Sequence, residues 1–209
     1  MRGCGRNIVP TARCASDRRG RPKVTRGMLR PHGTHLLWYV NSNVKPQHAM
    51  STRIPFNIVL VAPEIPQNTG TIGRLCVCTD SQLHLVKPLG FSLDESRIRR
   101  AGLDYWPHLG LHVYEDWADF LQRNNHPERL TFLSTKAEKS LYETRFEPGD
   151  WLVFGNESSG LPPEFYERYV NDLFLIPMPG QHMRSHNLAN AVSIGLYEAL
   201  RQTRWPSAT

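Results

Sequence analysis

From residue 56 onward the chain alternates between short apolar runs and segments of helical period. FNIVLV (56–61), LHLV (83–86), LHVY (111–114), LTFLS (130–134), DWLVFG (150–155) and DLFLIPM (172–178) read as strands. Apart from Asn57 the first of these is apolar, as expected of a strand covered on both faces. Between and after them, residues 71–79, 116–124, 162–170 and 187–203 read as helices. PPEFYERYV opens on prolines, which a helix tolerates in its first turn because those N–H groups have no intrahelical partner. In the last segment Leu188, Ala191, Val192, Gly195, Leu196, Ala199 and Leu200 recur at helical spacing and make one apolar face. Strands alternating with helices predict an α/β domain, a mostly parallel sheet flanked by helices. No internal repeat interrupts the pattern.

Residues 1–53 are of another kind. They are rich in Arg, Gly, Ser and Pro, lack an apolar period, and hold 11 Lys and Arg against one acid, Asp17. Residues 54–209 hold 14 Lys and Arg against 18 acids, so the formal net charge of +6 comes from the extension. A basic-partner argument from overall charge therefore applies only to residues 1–53. In the remainder, nucleic-acid binding requires a local patch, and Arg97, Arg99 and Arg100 in SRIRRAG supply a candidate. The expected organisation is a basic, disordered extension (1–53) followed by one domain (54–209), long enough to bury a core. The extension is Arg-rich and nearly acid-free, as transit peptides are. It has no clear amphipathic helix, however, and Met50 opens MSTRIPFNIVLV directly before the first strand, so a start set too far upstream is a second explanation of the extension.

No apolar run approaches the length of a membrane span. The four cysteines, Cys4, Cys14, Cys76 and Cys78, include one closely spaced pair with no second pair to match it, which argues against zinc. Cys76 and Cys78 are expected to serve as small core residues in a reducing compartment, with no disulfide.

Ligands of open α/β sheets sit beyond the carboxyl ends of the strands. Three polar stretches fall there: PEIPQNTGTIGR (63–74), GNESSGLP (155–162) and PMPGQHMRSHN (177–187). In the first, Asn68, Gly70 and Gly73 permit a tight backbone, the helix behind them favours an anion, and Arg74 can hold a phosphate bidentately. The plain alternative is a loop with an exposed arginine. In the second, Glu157 stands between glycines that let backbone approach a ligand; a turn with a capping acid explains the same residues. In the third, Ser185 or Asn187 reads as a helix N-cap. His182 and His186 have metal-ligand spacing only if both are helical, and the upstream prolines oppose that, so no metal is expected. Neither a Walker A sequence nor a GxGxxG after a strand is present. Three such loops in one small domain suggest one composite site.

Taken together, the three stretches resemble the motifs of the SPOUT (SpoU-type) RNA 2′-O-methyltransferases. They carry Asn68, Gly70 and Arg74; then Gly155, Glu157, Gly160, Leu161 and Pro162; then Ile176, Pro177, Met178, Ser185, Asn187 and Leu188, in the family's order and spacing. The resemblance covers about residues 56–204 and leaves out 1–53. PEIPQNTGTIGRLC and PLGFSLDESRIRRAGLDYW are similar to the minimal, single-domain branch that methylates cytidine or uridine 34 of tRNA. The resemblance implies a C-terminal trefoil knot, which general folding rules treat as essentially absent. It implies S-adenosyl-L-methionine as cofactor, held near Leu133, Gly155, Ile176 and Ser185. It implies a homodimer whose RNA sites are each completed by the partner chain, acting on a tRNA anticodon stem-loop in the cytoplasm, or in an organelle if residues 1–53 are a transit peptide.

The implied reaction is methyl transfer to the wobble ribose 2′-OH. Its site residues are Arg74, Ser185, Asn187, Glu157 and Asn68, with Arg74, Arg97, Arg99 and Arg100 toward RNA. Arginine stays protonated in proteins, so the role suited to Arg74 is holding the adjacent phosphate and stabilising the developing alkoxide. The chain departs from the family pattern at Ala189, where a second serine is common, at Gln67, at His186, and in a longer loop before Ser185. The alternatives are methylation at another tRNA or rRNA position, or a catalytically silent module that binds RNA or cofactor.

Overall fold

The computed structural model describes residues 56–93, 105–181 and 184–204. Residues 1–53, the Arg97–Arg99–Arg100 patch, Cys4, Cys14 and His182 lie outside the described residues.

Seven strands form one sheet: β1 (Asn57–Val61), β2 (Gln82–Val86), β3 (Leu111–Tyr114), β4 (Leu130–Leu133), β5 (Lys139–Ser140), β6 (Trp151–Phe154) and β7 (Leu173–Leu175). Their order across the sheet is β3-β2-β1-β6-β4-β7-β5, and every pairing is parallel. The expected parallel α/β sheet is therefore present. The α-helices among the described residues are α1 (Pro66–Thr79), α2 (Trp117–Arg123), α3 (Pro163–Arg168) and α4 (Leu188–Thr203).

Residues alternate across the strands, so each apolar run feeds two cores. Ile58 and Leu60 of β1, with Leu152 and Phe154 of β6, pack against Ile72 and Cys76 of α1 and Val192, Leu196 and Ala199 of α4. Val59, Val61 and Val153 face the other way, into Phe120 and Leu121 of α2 and Phe165 of α3. This is why FNIVLV shows no polar alternation. Gly195 lies where α4 meets β6: a Cβ there would sit 3.4 Å from Leu152 and Phe154.

Two expectations need correction. The first helix begins at Pro66 rather than at residue 71, so Asn68 and Gly70 are helical and not loop residues. Pro66 suits the first helical position, and tertiary contacts described below outweigh the poor helix propensity of asparagine and glycine. Cys76 is buried as expected, and burial pushes its thiol up to about 12. Cys78, two positions on and so on another face of the helix, is exposed rather than part of the core. The two-residue strand β5 carried no sequence signal. It exists because Lys139 and Ser140 pair with Phe174 and Leu175 at the edge of the sheet.

Candidate active site

Because the strands are parallel, their carboxyl ends share one edge. β1, β6, β4 and β7 are adjacent there, and each is followed by a polar loop. The register sets Leu133 at the end of β4 beside Phe154 of β6 and Phe174 of β7. Leu133, Gly155 and Ile176 thus end up at neighbouring strand ends. All three line one cavity of about 530 Å³, with Asn68, Glu157, Ser185 and Asn187. Small-molecule sites occupy roughly 300–1,000 Å³.

The loop after β6 is held by its own backbone. Asn156 and Gly160 exchange N–H···O bonds of 3.0 and 3.2 Å. The Asn156 side-chain oxygen accepts from Ser159 N–H at 2.7 Å and Gly160 N–H at 3.0 Å. A Cβ on Gly155 would stand 2.0 Å from the Gly160 carbonyl carbon, so no other residue fits. Gly160 has φ +79°, the left-handed region that glycine enters without strain.

This turn presents Glu157 to the start of α1. Its carboxylate accepts from Glu64 N–H (2.8 Å), Ile65 N–H (3.3 Å) and Asn68 Nδ2 (2.8 Å). Ile65, the N-cap residue of α1, has no side-chain oxygen to cap the helix. Glu157 supplies the anion from 93 residues away, at the positive end of the helix dipole. The carboxylate is thus committed to the entry of α1 and to the Asn68 side chain. Ser158 adds a 2.7 Å bond from its hydroxyl to the Glu64 carboxylate.

Asn68 carries the connection onward. It is 7% exposed, and its Oδ1 accepts from Asn187 Nδ2 at 3.0 Å. Asn187 Oδ1 in turn accepts from Ala189 N–H at 2.9 Å, capping α4. The choice between Ser185 and Asn187 as cap falls to Asn187, and Ser185 faces the cavity. A single chain of hydrogen bonds, Glu157–Asn68–Asn187, therefore ties the three motif loops together.

Arg74 is not part of this cavity wall. It lies six residues beyond Asn68, about 120° round the helix at 3.6 residues per turn. It is exposed, with its guanidinium carbon 5.0 Å from the centre of the Tyr105 ring. Tyr105 donates a hydrogen bond to the Gly70 carbonyl, which fastens the segment before β3 to α1.

His186 lines the cavity but precedes α4, so the helical spacing that a His182/His186 metal pair requires is not met. Among the described residues no group of three or more His, Cys, Asp or Glu side chains is placed to hold a metal ion. Nor does any helix among them have the length and apolarity to cross a membrane. Ala189 is buried in the core beneath α4 and does not line the cavity.

Motif reading missed Ser134, Thr135, Lys136 and Tyr166, which also line the cavity. Only their position after the carboxyl end of β4, or in the helix after the β6 loop, pointed to them.

Comparison with known proteins gives the family and the fold. A tRNA (cytidine(34)-2′-O)-methyltransferase of Burkholderia ambifaria is 45% identical over 150 residues, 70% of this chain and 95% of its own. A solved structure concerned with 2-OH methylation of C/U34 on tRNA is 46% identical, with TM-score 0.63 over 70% of this chain and 95% of that one. An AdoMet-bound rRNA methyltransferase of Sinorhizobium meliloti, 24% identical with TM-score 0.59, covers 72% of this chain and 57% of its own, and shares the fold. The family model of the SpoU rRNA methylases matches residues 55–197, the span that contains all three motif loops, and this chain belongs to that family.

Proposed function

We propose that this protein transfers a methyl group from S-adenosyl-L-methionine to the ribose 2′-OH of the wobble nucleotide, cytidine or uridine 34, of tRNA. The observation that carries the reading is the Glu157–Asn68–Asn187 chain, which closes three loops on one cavity at the carboxyl edge of the sheet. The relatives named for that reaction, at 45% and 46% identity over nearly their whole length, support the substrate.

The cavity fits the cofactor chemically. Leu133, Phe154, Ile176 and Leu188 offer apolar surface to an adenine ring, and Ser134, Thr135 and Ser185 offer hydroxyls to its polar edges and ribose. When bound, the cofactor supplies an electrophilic methyl on a sulfonium. The chain's own residues orient the acceptor and exclude water. An oxygen held in line with the methyl reacts without the entropy cost of a bimolecular encounter. Asn187 and Ser185 position the acceptor ribose or the cofactor, and Glu157 with Asn68 holds the loops that carry them. Arg74 would hold the phosphate beside the ribose and stabilise the negative charge that builds on the 2′-oxygen, whose proton passes to solvent water.

Because Arg74 stands outside the cavity of its own chain, the reading includes a homodimer in which each site draws that arginine from the second copy. It also includes the family's knotted C-terminal part, an RNA role for Arg97, Arg99 and Arg100, and action on the anticodon stem-loop. The reaction belongs to residues 54–209, in the cytoplasm, or in an organelle if residues 1–53 act as a transit peptide. A catalytically silent binding module rests on Ala189 alone. The burial of that residue in the core, away from the cavity wall, weighs against it.

The test is methyl transfer from labelled S-adenosylmethionine to total tRNA, followed by mapping of the modified nucleotide. A 2′-O-methyl group at position 34 is expected. A methyl group elsewhere in tRNA or in rRNA keeps the reaction and overturns the target. Cofactor binding without transfer to any RNA favours the silent module.

A further inference from the structure

The cavity wall carries little charge. Among the described residues lining it, Glu157 is the only carboxylate and Lys136 the only lysine or arginine. Two backbone N–H groups and Asn68 already occupy the Glu157 carboxylate. The Lys136 ammonium makes no ion pair among the described residues. It lies 4.9 Å from the centre of the Tyr166 ring.

The surroundings of Lys136 are ordered by specific bonds. Ser134 Oγ accepts from Lys136 N–H at 3.1 Å and shares a 3.0 Å hydrogen bond with Tyr166 OH. Ser134 N–H in turn bonds the Phe174 carbonyl at 2.9 Å, extending the β4–β7 ladder by one step. The turn after β4 is thereby fixed to both the sheet and α3. An exposed lysine ordinarily samples many rotamers, and its ammonium is a mobile point charge. Here a cation–π contact with a tyrosine that is itself tethered keeps it beside the cavity.

S-adenosylmethionine carries three charged groups at neutral pH: the sulfonium, an α-ammonium and an α-carboxylate. The carboxylate is its only anion, and Lys136 is the only lysine or arginine that the described wall offers it. We propose that Lys136, positioned by Ser134 and Tyr166, binds the α-carboxylate of the cofactor and so selects it over analogues lacking that group. This inference rests on the S-adenosylmethionine reading above.

Calorimetry on the full chain tests it, with S-adenosylmethionine, S-adenosylhomocysteine and decarboxylated S-adenosylmethionine as ligands. A charge-assisted hydrogen bond of ordinary strength corresponds to roughly tenfold or more in affinity. Lys136→Met is expected to weaken the two carboxylate-bearing ligands by that factor and to leave the decarboxylated one unchanged. Lys136→Arg retains the preference. Tyr166→Leu, which removes the ring and hydroxyl that position the lysine, loses part of it. If Lys136→Met weakens all three ligands equally, or none of them, the proposal is overturned. A raised KM for tRNA with unchanged cofactor Kd overturns it in favour of a phosphate contact. If the wild-type protein binds none of the three ligands, the cofactor reading fails along with it.

Discussion

Replacing Asn68 with aspartate probes the bond network at its centre while preserving shape. The amide nitrogen that donates to Glu157 at 2.8 Å becomes a carboxylate oxygen. Two unit charges at that separation repel by about 6 kcal/mol at an effective dielectric of about 20. A 7% exposed side chain cannot turn to water without breaking its bond to Asn187. The site relieves the repulsion by binding a proton or by displacing one carboxylate, so the measurable loss of stability at neutral pH is roughly 2–4 kcal/mol. The sign with pH follows from linkage. A shared proton raises a carboxyl pKa in the folded state, so the folded protein binds more protons than the unfolded one, and the penalty grows as pH rises. The assay is denaturant unfolding of wild type and Asn68→Asp at neutral pH and at about pH 5. Their difference is the quantity of interest, because other titrating groups cancel in it. Methyl transfer is expected to fall with stability, and the double variant Asn68→Asp/Glu157→Gln to recover part of both. If Asn68→Asp matches wild type in stability and turnover across that range, the three loops are not joined as described.

Other substitutions address separate parts of the molecule. Arg74→Ala is expected to abolish turnover while leaving cofactor Kd nearly intact; loss of cofactor binding with turnover per bound complex preserved refutes its role. Gly155→Ala sets a Cβ against the Gly160 backbone at 2.0 Å, so the β6 loop must move, and cofactor affinity should fall at least tenfold by calorimetry. His84, buried and bonded to Tyr114 OH and Asn57 Oδ1, is lowered from 6.5 to about 3 by burial and then by His112. Its neutral form contributes stability that is complete above about pH 6.5 and is lost on acidification toward 3, about 2 kcal/mol of it by about pH 5. His84→Gln should flatten that slope in pH-dependent unfolding, and an unchanged slope places the acid sensitivity elsewhere.

The sequence by itself determined the architecture. Continuous apolar runs such as IVLV (58–61) require cover on both faces, and their alternation with helical segments leaves a parallel sheet as the simplest arrangement. It also pointed to the carboxyl edge of the sheet as the place of a candidate site, because polar loops after parallel strands gather there whatever the strand order. It did not reveal how the loop residues divide their work. Asn68 and Gly70 read as loop formers because local propensity counts only neighbours in sequence. In the fold Asn68 lies within α1 and donates to Glu157, 89 residues beyond it. Lys136 and Tyr166 carried no motif, since an ordinary lysine and tyrosine gain meaning only when the β4 turn and α3 bring them within 4.9 Å. The strand order β1-β6-β4-β7 was likewise invisible in the chain, because pairing of distant strands is chosen by packing of both sheet faces together. That order sets Leu133, Gly155 and Ile176 side by side and turns three separate loops into one cavity.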